Sequence, residues 1–158
     1  MMVIIKSSYE NPFLKECPSM AGMRRALIVP VRVVESLRWT GGEAVVRLLP
    51  GAQWLTVDTL TATLESKAVE GYAYHHEFKF TLPNNSVNLL SRLELYSKER
   101  WLLAAEYSQG RAYLYGSLLS PLVLTWGERG SMSPAGVNVY DITLAGTDRN
   151  SPLPLKRL

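Results

Sequence analysis

The chain has 158 residues, 47% of them hydrophobic and 20% charged, with a formal net charge of +3. That length suits one domain with a core of its own, and the composition is that of a globular chain rather than a disordered or fibrous one. The single Cys17 excludes an internal disulfide and any multi-cysteine zinc site, and it fits a reducing compartment as well as a protein released by lysis.

Residues 1–25 read as an N-terminal arm. Its first eight residues lack the basic flank and long apolar core of a signal peptide. Pro12, Pro18 and Gly22 break up a segment that still carries Tyr9, Phe13, Leu14, Met20 and Met23. Apolar side chains on an irregular segment need cover, so these five are candidates for docking on the body or on a neighbouring subunit. The stretch 26–34 is β-branched and apolar, a predicted strand. Pro30 lacks an amide donor and predicts an edge position or a bulge there. This run is far short of the ~20 apolar residues that span a bilayer, so no membrane partner is expected. Residues 36–42 read as a turn, 44–49 as a strand, and 54–57 as a short strand.

The dominant feature is 60–82, LTATLESKAVEGYAYHHEFKFTL, a long predicted hairpin. Leu60, Ala62, Leu64, Ser66 and Ala68 alternate with Thr61, Thr63, Glu65, Lys67 and Val69. After Glu70-Gly71, Tyr72, Tyr74, His76, Phe78, Phe80 and Leu82 alternate with Ala73, His75, Glu77, Lys79 and Thr81. Period two over both arms gives one apolar, aromatic face and one polar face. The period then changes. Asn and Ser at 84–86 offer helix caps, and Leu89, Leu90, Leu93 and Tyr96 share one face of a helix over about 85–97. Strands return at 101–107 and 111–117 around a Ser108-Gln109-Gly110 turn, then at 121–126 and 137–145. The loop 127–136 is rich in glycine and serine. The tail 147–158, with Pro152 and Pro154, is expected to be extended. The predicted fold is mainly β (α+β): an antiparallel sandwich or barrel of about eight strands over 26–146, with one flanking helix.

The chain carries no set of residues that spells a catalytic centre. Neighbouring strand residues point to opposite faces, so His75 and His76 cannot share a metal. Cys17 as a nucleophile would need a basic partner, and it sits in a Pro-flanked loop with no helix start behind it. Ser131 and Ser133 lack a nucleophile elbow, and Gly110, Gly116, Gly127, Gly130 and Gly136 lack phosphate-loop spacing. Asp141 and Asp148 have no identifiable partner carboxylate. Arg24-Arg25 and Lys156-Arg157 are pairs, not a nucleic-acid patch. No catalytic residue, metal ligand or cofactor is assigned, and the expectation is a non-enzymatic protein.

The segment CPSMAGMRRALIVPV (17–31) resembles the opening of a group of small structural proteins from tailed phages and prophages: a short turn, a glycine and a strand ending in a Val-Pro-Val-like run. SRLELYSKERWLLAAEYSQGRAYLYGS (91–117) and VNVYDITLAGTDRNSPLPL (137–155) are similar to the same group, although Ser108-Gln109-Gly110 departs from its acidic, glycine-bearing turn. The element order separately resembles phage tail-tube proteins, β-sandwiches with one helix and a long hairpin whose subunits form rings around a lumen. The resemblance implies a tail-tube-like or connector subunit of the virion, assembled in the bacterial host cytoplasm. It also implies a homo-oligomeric ring or stack, contacts with other virion proteins, and passive contact with DNA in the lumen. Thr61, Thr63, Glu65, Lys67, His75, Glu77, Lys79 and Thr81 then become the assembly or lumen candidates. The alternative is a small β-barrel binding module with Trp101, Tyr113 and Tyr115 as its ligand surface.

Overall fold

A computed structural model of the chain describes residues 23–57, 61–69, 71, 73–83, 88–108, 110–129 and 139–156. These residues form eleven strands, one α-helix and one 3-10 turn. Strand β1 (Met23–Pro30) runs through the 3-10 turn Val31–Val33 into the hairpin β2 (Val34–Thr40) and β3 (Glu43–Leu48). The short β4 (Leu55–Val57) precedes the long hairpin β5 (Thr63–Val69) and β6 (Ala73–Pro83). Helix α1 (Leu89–Ser97) leads to β7 (Arg100–Tyr107), β8 (Ala112–Tyr115), β9 (Leu122–Arg129), β10 (Val139–Asp148) and the two-residue β11 (Leu153–Pro154).

Every ladder between these strands is antiparallel. Nine strands belong to one bent sheet, and β2–β3 forms a separate ribbon. The bend lies at β7. One edge of β7 pairs with β1 along its length, Ala26 opposite Ala105 and Pro30 opposite Trp101. The other edge is divided between β8, which pairs with Leu103–Glu106, and β9, which takes only Arg100 and Trp101. From that junction β9 carries the sheet into a second leaf, β9–β10–β6–β5. The two leaves face each other across the main core, where Ile28, Leu103 and Tyr115 of one meet Phe78, Leu122, Ile142 and Leu144 of the other. The sheet stays open, with β5 at one end, so the architecture is a sandwich and not a closed barrel.

Residues Trp101 to Ala105 of β7 are all fully buried. Their second face packs on a smaller core of Leu27, Val29, Ala44, Leu102, Ala104, Leu114 and Leu155, roofed by Leu37, Val46 and Leu48 of the β2–β3 ribbon. β7 is therefore a middle layer with apolar cover on both sides, which its run Trp-Leu-Leu-Ala-Ala makes possible.

Several expectations need correction. β1 is not an edge strand, but at Pro30 it has a strand on one side only, that of Trp101 in β7, and no bulge. Pro30 ends β1 beyond the reach of β4, which pairs only with Ala26–Ile28, and the irregularity lies between Met23 and Arg25. The expected turn over 36–42 is mostly strand β2, with Gly41 and Gly42 alone making the reversal. Helix α1 starts at Leu89 after Asn88, which makes no side-chain cap; the cap candidates at 84–86 lie outside the described residues. Leu93 is buried, but Leu90 is 41% exposed, because the residue after Leu89 turns away from the core. The tail is extended, and it is tied down. Leu153 and Pro154 pair with β8, and the Lys156 amide donates to the Ala44 carbonyl at 2.9 Å.

Candidate functional site at the outer face and edge of the long hairpin

The β5–β6 hairpin forms where the alternation places it, Thr63 opposite Lys79 through Val69 opposite Ala73. Gly71 in the reversal has φ +82, a conformation that glycine adopts without a Cβ penalty. On the inner face Leu64, His76, Phe78 and Phe80 are buried. Nearer the tip, Ser66 and Ala68 are exposed and Tyr74 is half-buried, so the end of the hairpin projects past the core.

The outer face brings the eight assembly candidates together. Glu65 stands opposite Glu77, Lys67 opposite His75, and Thr63 opposite Lys79. The Thr61 and Thr81 hydroxyls meet at 2.8 Å, and the Thr81 amide donates to Thr61 Oγ1 at 3.1 Å. Like charges facing across strands repel, and here lysines offset them. Lys79 Nζ is 2.8 Å from Glu77 and Lys67 Nζ is 3.5 Å from Glu65. The Lys79 hydrogen bond holds the Glu77 carboxyl below its usual range, and the same contact raises Lys79. His75 Nε2 lies 3.7 Å from Glu77, and its Nδ1 is 3.2 Å from the Thr147 hydroxyl.

Sequence reasoning missed how far this face extends. β10 sets Thr143 beside Lys79, Thr147 beside His75 and Asp141 beside Thr81, and β9 adds Thr125 beside Thr143. The alternation of 137–145 already contained Asp141 and Thr143 as its polar half. The signal that joined them to the hairpin, the β6–β10 pairing, is a long-range one.

His76 is a packed core histidine. Its Nε2 is 3.2 Å from the Asn150 carbonyl and its Nδ1 is 2.8 Å from Ser66 Oγ, with Tyr115 edge-on at 5.5 Å. A carbonyl only accepts, so the ring hydrogen sits on Nε2 and Nδ1 accepts from the Ser66 hydroxyl. Burial pushes the imidazole pKa below its ordinary value, against smaller opposing effects of the Asn150 carbonyl and Asp148. Among the described residues no three His, Cys, Asp or Glu side chains cluster as metal ligands.

The outer end of the second leaf is the edge of β5. Among the described residues, β5 pairs with β6 alone. A cavity of about 370 Å³ runs beneath this edge, lined by Ser66, Lys67, Tyr74, Tyr115 and Pro152 among others. The three aromatics of the alternative reading do not share one exposed surface. Trp101 and Tyr115 are buried, and Tyr113 stacks edge-on with Tyr107 against the main core. Of the arm candidates, Met23 packs on the main core as part of β1. Tyr9, Phe13, Leu14 and Met20 lie outside the described residues, as do Cys17, Ser131 and Ser133. No helix among the described residues is long and apolar enough to cross a membrane.

No protein-family model, curated protein or solved structure matches the chain.

Proposed function

We propose that the chain is a non-enzymatic structural subunit that works by self-assembly, of the kind found in phage virions as tail-tube or connector components. The observation that carries this reading is the second leaf. Its long hairpin ends the sheet at β5, and its outer face is a broad field of threonines and mixed charge. A sheet that ends in an open strand offers a template for another chain. An outer face of short hydroxyls and balanced charges stays wetted without sticking to an apolar partner, which suits a lumen wall or solvent face. The family sense of the reading rests on the resemblance of 17–31, 91–117 and 137–155 to phage structural proteins.

Electron microscopy of the purified full-length chain tests it. Rings or stacks of uniform diameter are expected at high concentration. Monomers alone under all solution conditions overturn the reading. A chain beginning at Met23 keeps the whole of β1, so it separates the arm from the body. If residues 1–22 dock on a neighbour, the shortened chain folds and assembles less.

A further inference from the structure

We infer that the outer edge of β5 is a two-fold interface between two copies of this chain, paired antiparallel about Ser66. This rests on the assembly reading and gives its partner, register and symmetry.

The argument is charge complementarity along one strand. The edge residues Glu65, Ser66, Lys67, Ala68 and Val69 are all exposed. Glu65 and Lys67 share the outer face, two positions apart, with their side chains 62% and 74% exposed. An antiparallel pair related by a two-fold axis repeats every contact twice. Centred on Ser66, it sets Glu65 against the partner's Lys67, and Lys67 against the partner's Glu65. The neighbouring registers fail. Centring on Glu65 puts that carboxylate against the partner's Glu65, and centring on Lys67 puts that ammonium against the partner's Lys67. Half-step registers turn the polar face of one strand toward the inner face of the other. One register alone keeps both faces aligned and pairs opposite charges.

The same two charges keep the edge from joining indiscriminately, since a partner strand without this spacing sets no opposite charge across from them. The four-stranded leaf becomes eight-stranded and its polar face doubles in width. A two-fold contact closes on itself, so it builds a dimer, and a ring or stack of such dimers grows through other surfaces.

Charge reversal in full-length chains tests this, read by sedimentation velocity across a dilution series. Wild-type chain is expected to show a reversible dimer that weakens with salt. Glu65→Lys alone and Lys67→Glu alone each convert both opposite-charge contacts into like-charge ones, and each should weaken the dimer by roughly tenfold or more. Mixed in equal amounts, the two variants restore both contacts and should form a heterodimer. A role inside the single chain cannot produce that rescue. Unchanged thermal unfolding shows that the variants keep their fold. Variants that dimerise like wild type, or a mixture that fails to associate, overturn the two-fold edge. If wild type forms rings that both variants also form, the edge pairing is wrong and the assembly reading stands. If dimers follow the charge pattern and nothing larger forms, the edge stands and the ring is wrong. A strictly monomeric wild type defeats both.

Discussion

Ser66 and His76 meet across the β5–β6 pair, hydroxyl to Nδ1 at 2.8 Å, and the far nitrogen of the ring reaches the Asn150 carbonyl at 3.2 Å. One buried imidazole thus joins the hairpin to the loop that follows β10. The arrangement suits the neutral ring, and burial lowers its pKa in the folded chain. The unfolded chain takes up the proton first as pH falls. Stability from this group is therefore complete above the ordinary histidine value near ~6.5, and it declines as pH drops from there toward the folded value. Chemical denaturation between about pH 8 and pH 5 checks the sign, and His76→Gln should flatten the slope.

The Tyr107 and Tyr115 hydroxyls share a hydrogen bond of 2.9 Å inside the main core. Burial raises both pKa values, so both groups remain neutral and one donates to the other. Tyr115→Phe leaves the Tyr107 hydroxyl buried without this partner, at a cost of about 1–3 kcal/mol. The double variant Tyr107→Phe/Tyr115→Phe removes both polar groups and should cost less than the two single changes summed. Urea unfolding of the three variants gives that coupling directly.

Gly146 lies where β9 leaves β10 for β7. A Cβ there would stand 3.0 Å from the Pro121 carbonyl oxygen and 3.1 Å from a Leu122 methyl. The carbonyl belongs to the backbone that turns the corner, so it cannot swing aside. Gly146→Ala should destabilise by about 1–3 kcal/mol, the usual cost of overpacking. Gly127→Ala, in β9 with open space around its Cβ position, is the control and should change thermal unfolding far less.

Helix α1 is pinned by two contacts. Leu93 is fully buried, and the Trp101 indole donates to the Tyr96 carbonyl at 3.0 Å with the Tyr96 ring edge-on at 5.4 Å. Leu93→Ala should cost about 2–5 kcal/mol. Trp101→Phe keeps most of the apolar volume and loses the donor. Hydrogen exchange should then show faster opening in α1 than in β10.

The hairpin was readable because its register is simple. Both arms keep period two without a slip, and the β6 pairing with β10 continues that phase to Asp148. β2 was not readable for the opposite reason. A register shift between Val34 and Ser36 puts Val34 and Leu37 three apart on the buried side, so the alternation disappears. Gly146 falls just past the strand expected over 137–145, since glycine usually interrupts a strand. Here it continues β10, and the missing side chain makes room for the chain at the corner. The polar face was legible strand by strand but not as one surface, since no local pattern says that β6 will choose β10 as its neighbour.

The middle strand has a consequence for how the chain comes to be folded. Arg25 and Glu106 are bonded at 2.7 Å although they lie 81 positions apart. β1 leaves the ribosome well before β7, its full-length partner, which emerges only after the long hairpin and the helix. Contacts of such separation form slowly because so much chain must be closed into a loop. Until then the edge of β1 that β7 takes, along the Ala-Leu-Ile-Val run, stays without its ladder partner. Ribosome-bound chains stalled before residue 100 should recruit chaperones through this segment, and chains released past 107 should not.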